Sequence, residues 1–275
     1  MIKNATFLSF YFADNQLFSN SETLVSKSTK MYIFLKNIYR ENYKFQKIKI
    51  LGRVACLGSE IINRLGLQKG LVNHPKSRVD FILGVLKNPK IRPEAKDIYQ
   101  FLERTYISSS IKSQEFDFFS YSKPDFIFLD SFSELTDQLF LNKINGNSFL
   151  ANYLDINHNN NFQFNYDNLG LLDLDELYNK YDEFFSKVSI FYPNISVIYL
   201  HFPTILDKRE KFQFRGNYIK NVIFELTIKY PFLHSIFLED DFVFKSENMD
   251  DDFPYHYGNK TYEYFLNEVK KIISF

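Results

Sequence analysis

The residues Asp125-Phe126-Ile127-Phe128-Leu129-Asp130 form the clearest strand signal in the sequence. Pro124 precedes this apolar run, and Ser131-Phe132-Ser133-Glu134-Leu135-Thr136-Asp137 follows it as a polar exit. Predicted strands and helices alternate on both sides of this stretch along the chain. Such alternation predicts a three-layer α/β/α fold, with a mostly parallel sheet covered by helices on both faces.

The flanking elements extend this pattern towards both ends of the chain. Lys47–Gly52 alternates and ends in glycine, which predicts a buried strand that runs into a turn. Ser59–Leu65 has helical spacing, with Ser59 as the expected N-cap and Gly66 and Gly70 at its end. The remaining predictions are an apolar strand or helix at 78–86, an amphipathic helix at 95–107, a surface loop at 157–168, helices at 172–190, 216–230 and 261–273, and strands at 195–201 and 233–239.

Composition limits the class of protein. Hydrophobic residues make up 45% of the chain, enough for a sizeable core, and no repeat or linker marks a second domain. We therefore expect one domain over residues 1–275, with 1–45 covering a core of 46–275. The 33 basic and 33 acidic residues cancel without long blocks of either sign, which argues against a nucleic-acid binder.

The location and redox state of the protein are also read from composition. One cysteine excludes an internal disulfide and a cysteine-cluster metal site, and it fits a reducing compartment. No segment reaches the ~18 apolar residues of a membrane span. The first residues lack a small-residue cleavage site, so we expect a mature cytoplasmic start. The oligomeric state is left open.

Polar side chains gather where the predicted strands end. In parallel sheets, ligands bind at the carboxyl ends of the strands. Each candidate also has a structural interpretation: an ion pair for the arginine, a strand end or helix cap for the residues around 130–134, and a satisfied core histidine for position 201. The candidate substrate-binding residues at these exits are Gly52, Arg53, Asp130, Ser131, Glu134 and His201.

The segment Asp250-Asp251-Asp252-Phe253-Pro254-Tyr255-His256 supplies a second kind of candidate. A carboxylate beside an imidazole fixes its tautomer and stabilises the imidazolium, as a general base requires. Asp251, Asp252 and His256 are therefore candidate catalytic residues, with Asp252 four positions before the histidine. The alternative is an acidic, solvated loop whose histidine has no chemical role.

The order of these elements resembles the SGNH (GDSL-like) hydrolase and acyltransferase superfamily over residues 45–275. In that superfamily the turn after the first strand bears the nucleophile, and an Asp and a His precede the last helix. The middle strand's exit supplies the oxyanion hole. A weaker resemblance is to uncharacterised SGNH-like proteins of bacterial polysaccharide loci, through Asp130–Glu134 and Pro254-Tyr255-His256-Tyr257.

The chain departs from that superfamily at the nucleophile. Arg53 and Val54 stand where the serine is expected, so Cys56 and Ser59 are the candidates. A thiol attacks acyl groups once a base or a helix N-terminus lowers its pKa, although a lone cysteine among apolar residues is also a common core residue. Ser59 is favoured because Gly58 before it and the helix after it match a nucleophile turn.

The resemblance implies acyl-ester chemistry on a bacterial surface carbohydrate, by O-acetyl transfer or deacetylation. Acyl-CoA would be the donor for a transferase, and no other cofactor is indicated. One alternative is a glycosyltransferase that uses Asp250–Asp252 and Glu134; another is a catalytically inactive SGNH-like binding protein. No metal-site spacing or dinucleotide motif is present in the sequence. The acyl-transfer prediction requires that folding bring His256 to the turn after Gly52.

Overall fold

The structure is a computed structural model that describes residues 48–248 and 253–273. Contacts between residues divide the chain into Met1–Lys47 and Ile48–Phe275. The predicted cover segment, 1–45, lies outside the described residues. The strands are β1 (Ile50–Arg53), β2 (Leu71–Asn73), β3 (Phe126–Asp130), β4 (Asp137–Asn142), β5 (Ser148–Asn152), β6 (Tyr166–Gly170), β7 (Ser196–Leu200) and β8 (Leu233–Ile236). The helices are α1 (Cys56–Arg64), α2 (Val79–Lys87), α3 (Ala95–Ile98), α4 (Ser108–Ser113), α5 (Phe132–Thr136), α6 (Asn160–Asn165), α7 (Leu174–Phe191), α8 (Glu210–Lys229) and α9 (Asn259–Ile272), joined in places by short 3₁₀ turns.

A parallel sheet of five strands forms the centre, in the order β2-β1-β3-β7-β8. After β1, the chain adds β2 on one side of it and then β3, β7 and β8 on the other side. This strand order places a topological switch point between β1 and β3. Helices cover the sheet, with α1 packed on α9 and α7 packed on α2 and α8. The predicted three-layer α/β/α fold with a mostly parallel sheet is confirmed.

The predicted elements of this sheet agree closely with the observed ones, and the apolar stretch at 78–86 is the helix α2. The difference that matters lies at the start of α1, which begins at Cys56 and not at Ser59. Only Val54 and Ala55 separate the helix from β1, and the Ser59 amide donates to the Ala55 carbonyl at 2.9 Å. Ser59 is thus inside the helix, and its prediction as N-cap was wrong.

A second, antiparallel sheet in the order β5-β4-β6 is inserted between β3 and β7, and the sequence did not predict it. The predicted surface loop at 157–168 was wrong, because part of it forms α6 and the start of β6. Phe162 and Tyr166 are buried there, with ring centroids 5.0 Å apart. Burying these rings overrides the preference of the surrounding asparagines for a loop.

The predicted amphipathic helix at 95–107 was also wrong, since the segment is helical only at α3 and then breaks into 3₁₀ turns. Its backbone bonds to another segment instead: the Glu103 amide donates to the Asp155 carbonyl at 2.9 Å, and the Asn157 amide donates to the Phe101 carbonyl at 2.8 Å. Tyr106, near the end of this segment, is 72% exposed. No helix among the described residues is long and apolar enough to span a membrane.

Candidate functional site

The turn between β1 and α1 is held by side chains from the two neighbouring strands. Asn73, at the end of β2, accepts a hydrogen bond from the Val54 amide at 3.0 Å and donates one to the Val54 carbonyl at 2.9 Å. Asp130, at the end of β3, accepts one from the Ala55 amide at 2.6 Å. Both strands thus fix the backbone that leads into Cys56, the first residue of α1.

Cys56, Ser59 and His256 line one cavity of about 580 Å³ at the carboxyl ends of β1, β2 and β3. Cys56 and His256 are half-buried. The cavity lies in the crevice next to the switch point, where ligands bind in open parallel sheets. Folding therefore brings the histidine of the C-terminal segment to the turn after β1. The other lining residues are Val54, Ala55, Asn73, Pro75, Lys76, Arg104, Tyr106, Ile107, Ser110, Phe132, Asn152, Asp155 and Phe253.

Hydrogen bonds fasten the segment that carries His256. The Tyr255 hydroxyl donates to Asp207 at 2.6 Å, and the Tyr257 hydroxyl donates to the Pro203 carbonyl at 2.8 Å. The Cys56 thiol lies 3.8 Å from the Tyr255 carbonyl oxygen, within the range of a weak sulfur hydrogen bond. The thiol-bearing turn is therefore in direct contact with the residue that precedes the imidazole.

Asp130 is fully buried beneath this turn and is not among the side chains that line the cavity. Its second oxygen accepts from the Phe132 amide at 3.1 Å. Burial raises the pKa of Asp130 to about 7, against the opposing effect of the Ala55 amide and Arg53. Asp130 thus orients the turn through its bond to the Ala55 amide, and its side chain does not face the cavity.

Glycines let the turn pack this tightly. A Cβ at Gly58 would lie 2.5 Å from the Val54 side chain and 3.2 Å from Asp130 Oδ2. A Cβ at Gly52 would lie 2.6 Å from Leu71 Cδ1. Gly52, a predicted substrate-binding residue, is buried in β1, where it pairs with Asn73 of β2, and it does not line the cavity.

Arg53 and Glu134 form a buried ion pair next to Tyr181 of α7. Arg53 also donates to the Asp130 carbonyl at 2.9 Å and to the Tyr181 hydroxyl at 3.0 Å. Burial lowers the pKa of Arg53, but Glu134 and the Tyr181 and Tyr199 hydroxyls outweigh burial and raise it. Both charged side chains are at most 1% exposed and neither lines the cavity, so their placement is structural.

His201 and Ser131 hold the exit of β7. The His201 Nε2 lies 2.9 Å from the Ser235 hydroxyl, and the Ser131 hydroxyl accepts from the Phe202 amide at 2.9 Å. Burial lowers the pKa of His201 to about 3, so its imidazole is neutral at pH 7. Both side chains are buried and line no cavity near Cys56. The predicted catalytic residues Asp251 and Asp252, with Asp250, lie outside the described residues and stay predictions.

A charged cluster on the cavity wall was missed from the sequence. Lys76 pairs with Asp155 at 2.9 Å and with Asp137 at 3.1 Å, and Arg104 reaches Asp155 at 3.3 Å. Burial lowers the pKa of Lys76, but the two carboxylates outweigh it and raise that pKa. Lys76 follows β2, a strand of three residues that is too short to show in the pattern. The other members come from the unpredicted insertion and the segment before β3.

The fold and this cavity define an α/β/α protein with a thiol and an imidazole beside the switch point of its parallel sheet. In comparisons with family models, curated proteins and solved structures, the chain matches none. No group of three or more His, Cys, Asp or Glu side chains in 48–248 and 253–273 could hold a metal ion.

Proposed function

We propose that the chain performs acyl-ester chemistry, with Cys56 as the nucleophile and His256 as the general base. The observation that carries the proposal is that these two side chains, which are 200 positions apart in the sequence, line one cavity at the switch point of the sheet. The acceptor, a bacterial surface carbohydrate, follows from the resemblance to SGNH-like proteins. An O-acetyltransferase and an esterase differ only in whether that carbohydrate gains or loses the acyl group.

Cys56 is a better nucleophile than Ser59 in this arrangement. As the first residue of α1, Cys56 lies at the positive end of the helix dipole, which favours a thiolate. Ser59 is one turn further along, and its hydroxyl ionises far less readily than a thiol. The amides of the first helical turn have no acceptor within the helix and can stabilise a developing oxyanion.

The proposed reaction proceeds in two balanced steps. His256 removes the thiol proton, and the Cys56 sulfur bonds to the acyl carbon of the donor. The bond from that carbon to the leaving oxygen or sulfur breaks, and the leaving group takes the proton from His256. A carbohydrate hydroxyl or water then attacks the acyl-cysteine and gives its proton to His256. The bond between carbon and sulfur breaks, and the thiol recovers the proton.

Hydrolysis of p-nitrophenyl acetate tests this assignment, with the acetyl group on the protein located by peptide mass spectrometry. In wild type we expect the acetyl group on the peptide that contains residue 56, and Cys56→Ala should abolish it. His256→Ala should slow turnover by about 10²-fold or more, the usual contribution of a general base. Ser59→Ala is the matched control from the same cavity and is expected to retain the activity. Loss of activity in Ser59→Ala with an active Cys56→Ala protein would transfer the role to the serine.

The same assay separates the enzyme from a catalytically inactive binding protein. A wild-type protein that hydrolyses the ester no faster than Cys56→Ala, and that carries no acetyl group on Cys56, would refute the proposal. Adding a carbohydrate acceptor then distinguishes the two activities, because a transferase releases the acyl group onto a hydroxyl of the sugar and an esterase releases it onto water.

A further inference from the structure

A larger cavity, of about 980 Å³, adjoins the one that contains Cys56 and His256. The two share four lining residues: Arg104, Phe132, Asn152 and Phe253. This size is at the upper end of the ~300–1,000 Å³ typical of ligand sites. The two cavities therefore adjoin, with the thiol in the smaller one and these four side chains between them.

Basic side chains outnumber acidic ones among the described residues that line the larger cavity. Among the described residues that line it, one side chain is acidic, Asp207. That carboxylate is already bonded to Arg209 and to the Tyr255 hydroxyl. The basic side chains that line the cavity are Arg104, Lys208, Arg209, Lys211 and Lys245. Arg104 and Arg209 are paired with carboxylates, so Lys208 and Lys211 supply the positive charge that attracts an anionic ligand to this concave surface.

The cations are not spread at random over the cavity. Arg209 is held by Asp207 through two bonds, of 2.8 and 2.7 Å, and its guanidinium lies 4.1 Å from the centroid of the Phe212 ring. The Lys211 ammonium lies 5.2 Å from the same centroid. Lys208 forms no ion pair within the described part of the chain. Three cations are thus clustered at the start of α8, around a ring that fixes two of them.

Beside the polar Thr136, Gln138 and Asn152, much of the remaining lining is apolar and partly exposed. Tyr153 and Leu154 are 46% and 60% exposed, and Phe253 is 40% exposed. Phe212 and Leu206 line the same space. Rings and aliphatic chains of this kind can stack on a nucleobase, whereas the cations match phosphate groups. The combination fits a ligand with an aromatic base and several negative charges.

We infer that this basic cavity binds the nucleoside diphosphate portion of an acyl carrier, whose acyl end extends past the shared lining residues to Cys56 in the adjoining cavity. The inference rests on the proposed acyl-transfer function for its role, and on the cavity alone for the binding. A nucleoside diphosphate occurs both in an acyl carrier such as coenzyme A and in a sugar nucleotide. The thiol in the adjoining cavity favours the acyl carrier.

Calorimetric titration of the full chain with coenzyme A, ADP, UDP-glucose and inorganic pyrophosphate tests the inference. We expect coenzyme A and ADP to bind, and their affinity to fall with rising salt because exposed charges are screened. Lys208→Ala/Lys211→Ala should weaken coenzyme A binding about tenfold, the sum of two exposed ionic contacts. Lys96→Ala/Lys270→Ala is the matched control, since both lysines are exposed and line neither cavity.

Three results would overturn the inference: no binding of coenzyme A, equal loss in the two double variants, or tighter binding of UDP-glucose than of coenzyme A. Its failure is separable from that of the proposed function. Cys56-dependent ester hydrolysis without coenzyme A binding would reject only the carrier site. Coenzyme A binding to wild type and to Cys56→Ala, without any Cys56-dependent hydrolysis, would support the carrier site and reject the proposed chemistry.

Discussion

The buried pair of Arg53 and Glu134 allows a quantitative test of the structure. Glu134→Gln removes the negative charge and leaves the Arg53 guanidinium buried without its counter-ion. The glutamine oxygen still accepts the bond that Glu134 Oε1 takes from the Val79 amide, at 3.0 Å, so that bond is not part of the change. Removing one partner of a buried pair costs about 3–5 kcal/mol of unfolding free energy.

A double-mutant cycle with Arg53→Met tests whether the unpaired charge causes this loss of unfolding free energy. Arg53→Met leaves Glu134 without a counter-ion and also removes the bonds to the Asp130 carbonyl and the Tyr181 hydroxyl. We expect it to destabilise at least as much as Glu134→Gln. The double variant buries no charge of this pair, so it should be more stable than the sum of the single changes predicts. The expected coupling is at least ~2 kcal/mol.

Urea unfolding followed by far-UV circular dichroism gives the free energies from midpoints at a constant slope. The chain has no tryptophan, so tyrosine fluorescence is the second probe. Glu94→Gln is the matched control, because Glu94 pairs with Lys96 at 3.0 Å on the surface and such pairs contribute about 0–1 kcal/mol. A Glu134→Gln protein no less stable than Glu94→Gln, or a coupling near zero, would contradict the buried placement.

Two further predictions concern the turn before Cys56. Because burial raises the pKa of Asp130 to about 7, its protonated form stabilises the fold below pH ~4 and this stabilisation is lost as the pH rises through 7. Wild type should therefore lose up to about 1.4 kcal/mol per pH unit between pH 5 and 7 relative to Asp130→Asn, measured by urea unfolding at each pH; parallel profiles would contradict this. Gly58→Ala should destabilise the chain by about 1–3 kcal/mol, because the added Cβ would lie 2.5 Å from the Val54 side chain, and it should also reduce acetylation of Cys56. Ser59→Ala, at the next position, is the control. Equal melting temperatures of the two variants would refute the packing argument.

The general position of the site could be predicted from sequence because it depends on strand order and not on side-chain detail. Once β1 and β3 are read as parallel strands, their exits lie at one edge. The segment before the last helix comes back to the same edge. Periodicity cannot show which side chains at these exits face the cleft. Gly52, Arg53 and Asp130 were all predicted by position, but all three are buried and none lines the cavity.

The arginine shows why this difference is hard to predict. Arg53 ends a buried strand, and its counter-ion Glu134 is 81 residues away, so only the folded chain reveals that the two charges neutralise each other in the core. The antiparallel sheet was missed for a similar reason. Its cohesion comes from aromatic residues contributed by separate segments, such as Phe101, Phe149 and Phe162, whose local sequences are polar or irregular.

The unpredicted insertion also explains how a simple parallel sheet acquires a deep cleft. The switch point alone provides a shallow crevice between the exits of β1 and β3. Asn152, the last residue of β5, and Asp155, three residues later, form part of one wall of the cavity. Asp155 is joined to Lys76 by an ion pair of 2.9 Å. Phe253 closes the other side from the segment that carries His256. The thiol and imidazole therefore lie, partly buried, where three separate parts of the chain meet, and partial burial there strengthens the electrostatic interactions that the proposed acyl transfer requires.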